Sequence, residues 1–393
     1  MSLSILDTPT PTPTFTPTPT PRPPQEFLVC SAPGAGIPDN ATAGLRSDIT
    51  LDLWGKLSGL EVYVRISHPY SGDLSAEINQ RSTGSHTVLF DRPGPSGASP
   101  VKNLKPDAPE GSIRCDKPNI QAIFSQSGSQ SVANKCQTDS MVNVAIGGIF
   151  RPSGDLSQFI GSPASGVYSL LINDSGAGDS GTLDKWCLHG TVADTLPDEP
   201  LAPMPTQLPD SALVPGMSGQ NQALPLDCES RSAVDWARHF GVYIDELTFF
   251  NGLPTSDDPD KGFVGSVYGG WGNIPPGAYG VHAGPIAALL RAYGLQAEGG
   301  RGYTFDDLRA EIAAGHPAEV WVTGHTYPGA PEFFQPASSK AIMPVARFEH
   351  TVIAYGYTPT TVTILDGGSS YQVPIERFLD AWASLGNMAV MRK

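Results

Sequence analysis

The chain has no long uninterrupted apolar run and no cluster of basic residues. A bilayer-spanning helix needs about 20 mostly apolar residues, so we expect no membrane span. The formal net charge is -15, and nucleic-acid binding depends on cationic contacts to phosphate, so we expect no nucleic-acid partner. No basic segment followed by an apolar core opens the sequence, so we expect that the chain as given carries no secretory signal or anchor.

Cysteine is scarce, with five in 393 residues. Four lie in the first half, namely Cys30, Cys115, Cys136 and Cys187, whereas Cys228 is alone in the second. Four cysteines allow three pairings, of which we predict Cys30–Cys187 and Cys115–Cys136, leaving Cys228 free. The alternative is four reduced, buried thiols, because disulfide-rich chains use more cysteine than this one.

Composition divides the chain, which is long enough for two domains, into four parts. Residues 1–26 contain a Thr/Pro tract that cannot build a core, and we predict an extended stalk leading to a cell-surface attachment. Residues 27–193 contain short strand-like runs, and residues 194–218 are a Pro-rich, acidic linker. Residues 219–393 place helical periodicity first and strands later, which predicts an α+β domain.

The first half alternates apolar and polar residues, as at 49–53 and 60–66, between turns rich in Gly, Pro, Ser, Asn and Asp. This pattern is typical of antiparallel strands with one buried face and predicts an all-β jelly-roll sandwich. Its motifs include Ile37-Pro-Asp-Asn, Ile66-Ser-His-Pro-Tyr-Ser-Gly-Asp-Leu and Gly166-Val-Tyr-Ser-Leu-Leu-Ile-Asn-Asp. They resemble the P domain, or Homo B domain, of kexin- and furin-like convertases, which implies an accessory module. No subtilisin signature precedes it here.

Three acidic residues crowd a Gly/Ser-rich loop of this half: Asp174, Asp179 and Asp184. Calcium accepts several oxygen ligands at irregular spacing, so these carboxylates are our candidate ligands for a structural Ca²⁺. The alternative interpretation is a solvated acidic turn ahead of a strand.

Cys228 stands at the start of an amphipathic run in which apolar residues recur at three- and four-residue steps, with Gly241 after it. A helix N-terminus favours negative charge, so we predict a lowered thiol pKa and a nucleophilic thiolate. The alternative is a small buried hydrophobe, the commoner fate of a lone cysteine. Asp227 and Glu229 flank the thiol and would raise its pKa if they faced the sulfur.

A cysteine nucleophile needs a base and a group that orients the base. His350 begins one predicted strand and Asp366 ends the next. If those strands pair antiparallel around a short turn, the two residues become neighbours. Gln222, six residues before Cys228, is a candidate amide donor to an oxyanion, together with the Cys228 backbone N–H. Taken singly, each residue also has an ordinary structural explanation, such as a turn for the aspartate.

The second half carries Gln222-Ala-Leu-Pro-Leu-Asp-Cys-Glu, Gly262-Phe-Val-Gly, His350-Thr-Val and Ile364-Leu-Asp-Gly. These motifs resemble the papain-fold family typified by double-glycine leader peptidases, and more closely its free-standing extracytoplasmic branch. The resemblance implies Cys228 as nucleophile, His350 as base, Asp366 as orienting residue and Gln222 as oxyanion donor. Glu229 stands where leader peptidases have Gly and no transporter domain follows, so a double-glycine leader substrate is not inferred.

Aromatic and histidine side chains in the Gly/Pro-rich loops, namely Trp271, Tyr279 and His282, are candidates for the substrate cleft. The predicted function is a secreted or surface-displayed cysteine peptidase that acts on peptides or proteins and requires no cofactor for catalysis. Two alternatives stay open: an acyl transferase on the same fold, and a catalytically inactive surface-binding protein.

Overall fold

The computed structural model describes residues 24–41, 43–94, 114–137, 141–193 and 208–392. Most of the predicted stalk, and the part of the predicted linker before residue 208, lie outside them. The stalk ends earlier than predicted, because Gln25 already pairs in the first strand. The linker also ends earlier, because a strand at Ala212–Leu213 pairs with the sheet of the second half. Among the described residues, no helix is long and apolar enough to cross a membrane.

The first half consists of two facing sheets. Its strands are β1 (Gln25–Ser31), β2 (Ala35–Ile37), β3 (Leu45–Leu51), β4 (Lys56–Ser67), β5 (Leu74–Gln80), β6 (His86–Asp91), β7 (Ile120–Ser125), β8 (Gln130–Ser131), β9 (Ile146–Arg151), β10 (Gly166–Asp174) and β11 (Gly181–Ala193). One sheet has the order β1-β11-β4-β7-β9-β8, with β2 beside β11, and the other has the order β3-β10-β5-β6. β9 pairs with β7 and β8 in parallel, unlike the antiparallel arrangement predicted throughout.

The alternating sequence pattern explains the core of this half. On β5, the residues of Leu74-Ser-Ala-Glu-Ile-Asn-Gln alternate between buried and half-buried positions, so one face of the strand meets the opposite sheet. One apolar cluster takes side chains from both sheets, and the indole N–H of Trp186 on β11 crosses it to donate to Ser47 Oγ on β3 at 2.9 Å. Two disulfides, Cys30–Cys187 and Cys115–Cys136, form as predicted.

The second half is an antiparallel sheet covered by helices. Its helices are α1 (Cys228–His239), α2 (Glu246–Gly252), α3 (Ala283–Ala292), α4 (Phe305–Ala313) and α5 (Ile375–Ala383). Its strands are β12 (Ala212–Leu213), β13 (Ala297–Gly300), β14 (Ala318–Thr323), β15 (Pro331–Phe334), β16 (Met343–Ala346), β17 (Glu349–Tyr357), β18 (Thr361–Asp366), β19 (Ser369–Pro374) and β20 (Ala389–Arg392). The main sheet has the order β13-β20-β14-β17-β18-β19, with β12 beside β17.

Local sequence signals set the ends of the helices. Thr304 and Asp307, three residues apart in the sequence, form a reciprocal capping box at the start of α4. Beyond the end of α1, Gly241 adopts a φ of 79°, a left-handed conformation that favours glycine and stops the helix. α1 begins at Cys228, as predicted, although Asp227 before it makes no side-chain capping bond.

The two halves pack directly against each other. Lys135 Nζ lies 2.9 Å from Asp380 Oδ1 on α5, and their side chains are only 10% and 8% exposed. Gln130 Nε2 donates to the same carboxylate oxygen at 2.8 Å. An apolar cluster across the contact includes Tyr63 and Ile123 of the first half and Phe333 of the second. The sandwich is therefore part of the surroundings of the second domain.

Lys135→Ala is expected to lower the free energy of unfolding by about 3 kcal/mol, because it leaves the Asp380 carboxylate buried without its cation. Chemical denaturation followed by tryptophan fluorescence measures the change. Lys117→Ala is the matched control: Lys117 pairs with Asp116 at 3.5 Å on the surface, and its loss should cost less than about 1 kcal/mol. Equal effects of the two variants would contradict the importance of this contact.

Candidate active site

Cys228, the first residue of α1, lies at a cavity of ≈ 450 Å³. Its side chain is largely covered, since the residue is 8% exposed, and it is a free thiol. The cavity brings together residues from α1, β17, β18, β19 and the loops around them. They are Asn221, Gln222, Cys228, Arg231, Ser232, His325, His350, Thr351, Asp366, Gly367, Ser369 and Tyr371.

His350 and Asp366 are hydrogen-bonded, with 2.8 Å between His350 Nε2 and Asp366 Oδ1. The predicted strand pair explains this contact, because β17 and β18 are antiparallel and Ile353 is opposite Leu365. His350 near the start of β17 therefore reaches Asp366 at the end of β18. The bond occupies Nε2, so Nδ1 is the ring nitrogen that Asp366 leaves free of this contact.

The charge of Asp366 is stabilised by two histidines. Burial by itself raises the pKa of this carboxyl, but hydrogen bonds and charge interactions with His350 and His325 outweigh burial and lower the pKa to about 2. Asp366 is therefore an anion at any pH near neutrality, as a residue that orients an imidazole must be.

The thiol of Cys228 has a raised pKa, contrary to the prediction of a lowered one. Burial is the largest cause, followed by the negative charges of Glu229 and Glu349. Hydrogen bonds with Thr351 act in the opposite direction but are weaker. Cys228 Sγ lies 3.4 Å from Glu229 Oε2, to which the thiol donates. The local carboxylates and burial thus outweigh the helix dipole, so the thiol form predominates at neutral pH.

The two acidic neighbours of Cys228 point in different directions. The carboxylate of Asp227 accepts a hydrogen bond from the Leu224 N–H at 3.1 Å and interacts with Glu246, away from the thiol. Glu229 faces the sulfur, and its Oε1 accepts a hydrogen bond from the Val281 N–H at 2.6 Å. Burial raises the pKa of Glu229 to about 7, so this residue carries a partial charge at neutral pH.

Gln222 lines the cavity, but its amide is turned away from it. Gln222 Nε2 donates to the carbonyl oxygens of Leu224 at 2.8 Å and Pro225 at 2.9 Å. Both amide hydrogens are used by these two bonds. The predicted oxyanion donor is therefore near the thiol without offering an N–H to the cavity in this arrangement.

The three residues predicted for the substrate cleft occupy two different environments. Trp271 lies beside His350: the two ring centroids are 6.3 Å apart, and the Trp271 indole N–H donates to Glu349 O at 2.9 Å. Tyr279 and His282 are interior residues, 4% and 1% exposed, so the prediction that they line the cleft was wrong. His282 Nδ1 instead lies 2.7 Å from Asp260 Oδ1, and Arg301 pairs with the same carboxylate.

Sequence reasoning missed His325 and Tyr371. His325 Nδ1 lies 2.6 Å from Asp366 Oδ2, and the Tyr371 hydroxyl donates to the same oxygen at 3.1 Å. His325 follows β14 in a loop and carries no motif. Only the pairing of β14 with β17, in which Thr323 is opposite Glu349, brings that loop to the cavity.

The three aspartates of the predicted calcium site do not converge. Asp174 is buried and hydrogen-bonded to His68 Nε2 at 3.1 Å, whereas Asp184 accepts a hydrogen bond from Ser67 at 2.7 Å. Within the described ranges, the groups of side chains close enough to share a metal do not include Asp174, Asp179 or Asp184. In this arrangement Asp174 and Asp184 are bonded to separate partners, and a Ca²⁺ site at these three residues stays a prediction.

Comparisons with known proteins give one family match. Residues 218–390 match the model of the Peptidase_C39 like family. Among solved structures, a C39-like peptidase from Bacillus anthracis is 22% identical with a TM-score of 0.42, and the match covers 47% of this chain and 98% of that chain. A serine protease of Aeromonas sobria in complex with a chaperone is 16% identical with a TM-score of 0.26, covering 45% of this chain and 27% of that chain. None of the curated proteins matches the chain.

The family match falls on the half of the chain that holds the cavity and the side chains around it. It spans less than half of the whole chain, and the TM-scores are too low to establish a shared fold. The family match nevertheless agrees with the chemistry of the cavity, where a cysteine, a histidine and an aspartate meet. Residues 218–390 are thus similar, at the level of a family, to cysteine peptidases of the C39 type.

Proposed function

We propose that residues 219–393 form a cysteine peptidase in which Cys228 is the nucleophile, His350 the base and Asp366 the residue that orients the base. The observation that carries the proposal is the 2.8 Å bond from His350 Nε2 to Asp366 Oδ1 at a cavity shared with Cys228. A base held by a carboxylate beside a nucleophile is the arrangement that acyl transfer requires.

The raised thiol pKa determines how the first step proceeds. Because the thiol form predominates, His350 Nδ1 takes the Cys228 proton as the sulfur attacks the carbonyl carbon of the scissile amide. Asp366 stabilises the imidazolium that forms. The imidazolium then protonates the leaving amine, which departs and leaves a thioester, and His350 next activates the water that hydrolyses this thioester.

The developing oxyanion lies at the N-terminus of α1. The first backbone N–H groups of a helix have no partner within the helix, so the Cys228 N–H is available to the oxyanion. Gln222 becomes a second donor if its amide leaves the carbonyls of Leu224 and Pro225, which it contacts in the substrate-free arrangement. Trp271 covers the same side of the site as His350 and His325, where a substrate side chain would pack.

We further propose that the protein acts outside the cytoplasm, with the P-type sandwich as an accessory module. Two disulfides in the first half support this location, because such bonds persist in oxidising compartments. The buried Lys135–Asp380 pair supports a fixed attachment of the sandwich to the catalytic half. Peptides or proteins are the proposed substrates.

Cys228→Ala and His350→Ala are each expected to lower the rate of peptide hydrolysis at least about 1000-fold, since each removes a member of the catalytic set. Mass spectrometry of a peptide library incubated with each variant measures the loss. His239→Ala is the control, because His239 contacts the Gly315 carbonyl on another side of α1. Activity retained in Cys228→Ala would sink the proposal.

Glu229→Gln is expected to lower the pKa of the Cys228 thiol, because it removes the adjacent negative charge while keeping the size of the side chain. The rate of iodoacetamide labelling as a function of pH measures the pKa, and its midpoint should move to lower pH. Glu376→Gln, on the exposed face at the start of α5, should leave the midpoint in place. An unchanged midpoint in Glu229→Gln would show that Glu229 does not act on the sulfur.

A further inference from the structure

His325 shares the carboxylate of Asp366 with His350, although the proposed triad does not use it. His325 Nδ1 contacts Oδ2 and His350 Nε2 contacts Oδ1, and ligand atoms of the three residues all lie within 4.8 Å of one another. We propose that these three side chains form a Zn²⁺-binding site and that zinc bound there switches the peptidase off. The inhibitory effect rests on the proposed function, whereas the binding does not.

The donor set suits zinc. Two imidazole nitrogens and one carboxylate oxygen match the ligands of open zinc sites, where Zn–N is about 2.0–2.1 Å and Zn–O about 2.0–2.2 Å. Water from the adjoining cavity completes a tetrahedron. Ca²⁺ and Mg²⁺ prefer sets made of oxygen ligands, so neither is expected to compete at this position.

The proposed zinc site is open to solvent on one side, and a hydrogen bond from a neighbouring side chain holds its carboxylate on the other. The His325 side chain is 62% exposed, so a hydrated ion can reach it and the ring can adjust by rotation. The Tyr371 hydroxyl donates to Asp366 Oδ2 at 3.1 Å, an outer-shell contact that orients the carboxylate.

The sandwich holds the loop that carries His325. The Met141 side chain packs against Gly324, the residue before His325, and the Met141 N–H donates to the Pro328 carbonyl at 3.2 Å. Gly147 on β9 approaches the Gly329 carbonyl so closely that a Cβ would collide with it. These contacts fix both ends of the loop and keep His325 near Asp366.

A second group in the described part of the chain has ligand atoms equally close together, namely Cys228, Glu229 and Glu349. All three residues are buried, and a metal there would need the thiolate of a cysteine whose pKa is raised. The group at Asp366 is reached from solvent through His325, whose side chain is 62% exposed. This exposed group is therefore the favoured zinc site.

The proton positions explain the inhibition. In the catalytic arrangement, His350 carries its proton on Nε2, which donates to Asp366, and the Nδ1 lone pair accepts the thiol proton. Zinc on Nε2 requires a lone pair on that nitrogen, so the proton of the neutral ring moves to Nδ1. The base then has no lone pair for Cys228. No bond to the sulfur is needed for this loss of activity.

Isothermal titration calorimetry with ZnCl₂ tests the binding in the full chain. Cys228→Ala, which removes the thiol and keeps all three ligands, should bind one Zn²⁺ as the unsubstituted protein does. Adding His325→Ala to it should weaken binding at least about tenfold, whereas adding His86→Ala, an exposed histidine of β6, should not. Zinc binding that is lost in Cys228→Ala alone, or that His325→Ala does not weaken, would overturn the site. The His325→Gln variant and thermal unfolding of each variant exclude a folding defect.

Peptide hydrolysis tests the switch. In the chain without substitutions, Zn²⁺ should inhibit hydrolysis and EDTA should restore it, whereas Mg²⁺ or Ca²⁺ at the same concentration should not inhibit. For His325→Ala, inhibition is measured relative to that variant's own metal-free rate. The zinc concentration for half-inhibition should then be at least about tenfold higher than in the chain without substitutions. Binding without inhibition would refute the switch, and a chain that binds zinc yet never cleaves peptides would refute the proposed function instead.

Discussion

The antiparallel register of β17 and β18 is the constraint on which the candidate site depends. It brings His350 at the start of one strand to Asp366 at the end of the next, with 2.8 Å between Nε2 and Oδ1. A shift of one residue would turn one of these side chains to the other face of the sheet. The hydrogen bond in turn determines which nitrogen of His350 is left for Cys228. The catalytic chemistry proposed here therefore follows from strand pairing.

The second feature of the site is a pair of buried glutamate side chains beside the thiol. Glu229 and Glu349 are buried beside Cys228, and burial raises the pKa of all three groups. Gly280 leaves the room for both carboxylates, since a Cβ there would collide with each of them. The thiol is consequently kept protonated, and in the proposed mechanism its activation depends on His350 rather than on the dipole of α1. The resting cysteine is therefore a neutral thiol, unlike the cysteine of a site that holds a preformed thiolate and imidazolium pair.

The sandwich contributes to this geometry through its contacts with the second half. The Lys135–Asp380 pair and the cluster around Phe333 join the two halves, and Met141 meets the loop of His325. His325 contacts Oδ2 of Asp366 while His350 contacts Oδ1, so the first half supports the aspartate through one intermediate side chain. A module predicted as an accessory is thus in physical contact with the elements that shape the cavity.

The sequence by itself determined the features that depend on local patterns: the position of α1, the capping box at Thr304, the strand pair that joins His350 to Asp366, and both disulfides. These follow from periodicity, turn residues and pairing arithmetic, which act over short distances or few alternatives. Only the tertiary structure decided that Glu229 faces the sulfur, that Gln222 turns its amide away, and that Tyr279 and His282 lie inside. It alone brought His325 to Asp366. Each of these depends on side-chain direction and on contacts between distant segments, which neither spacing nor composition encodes.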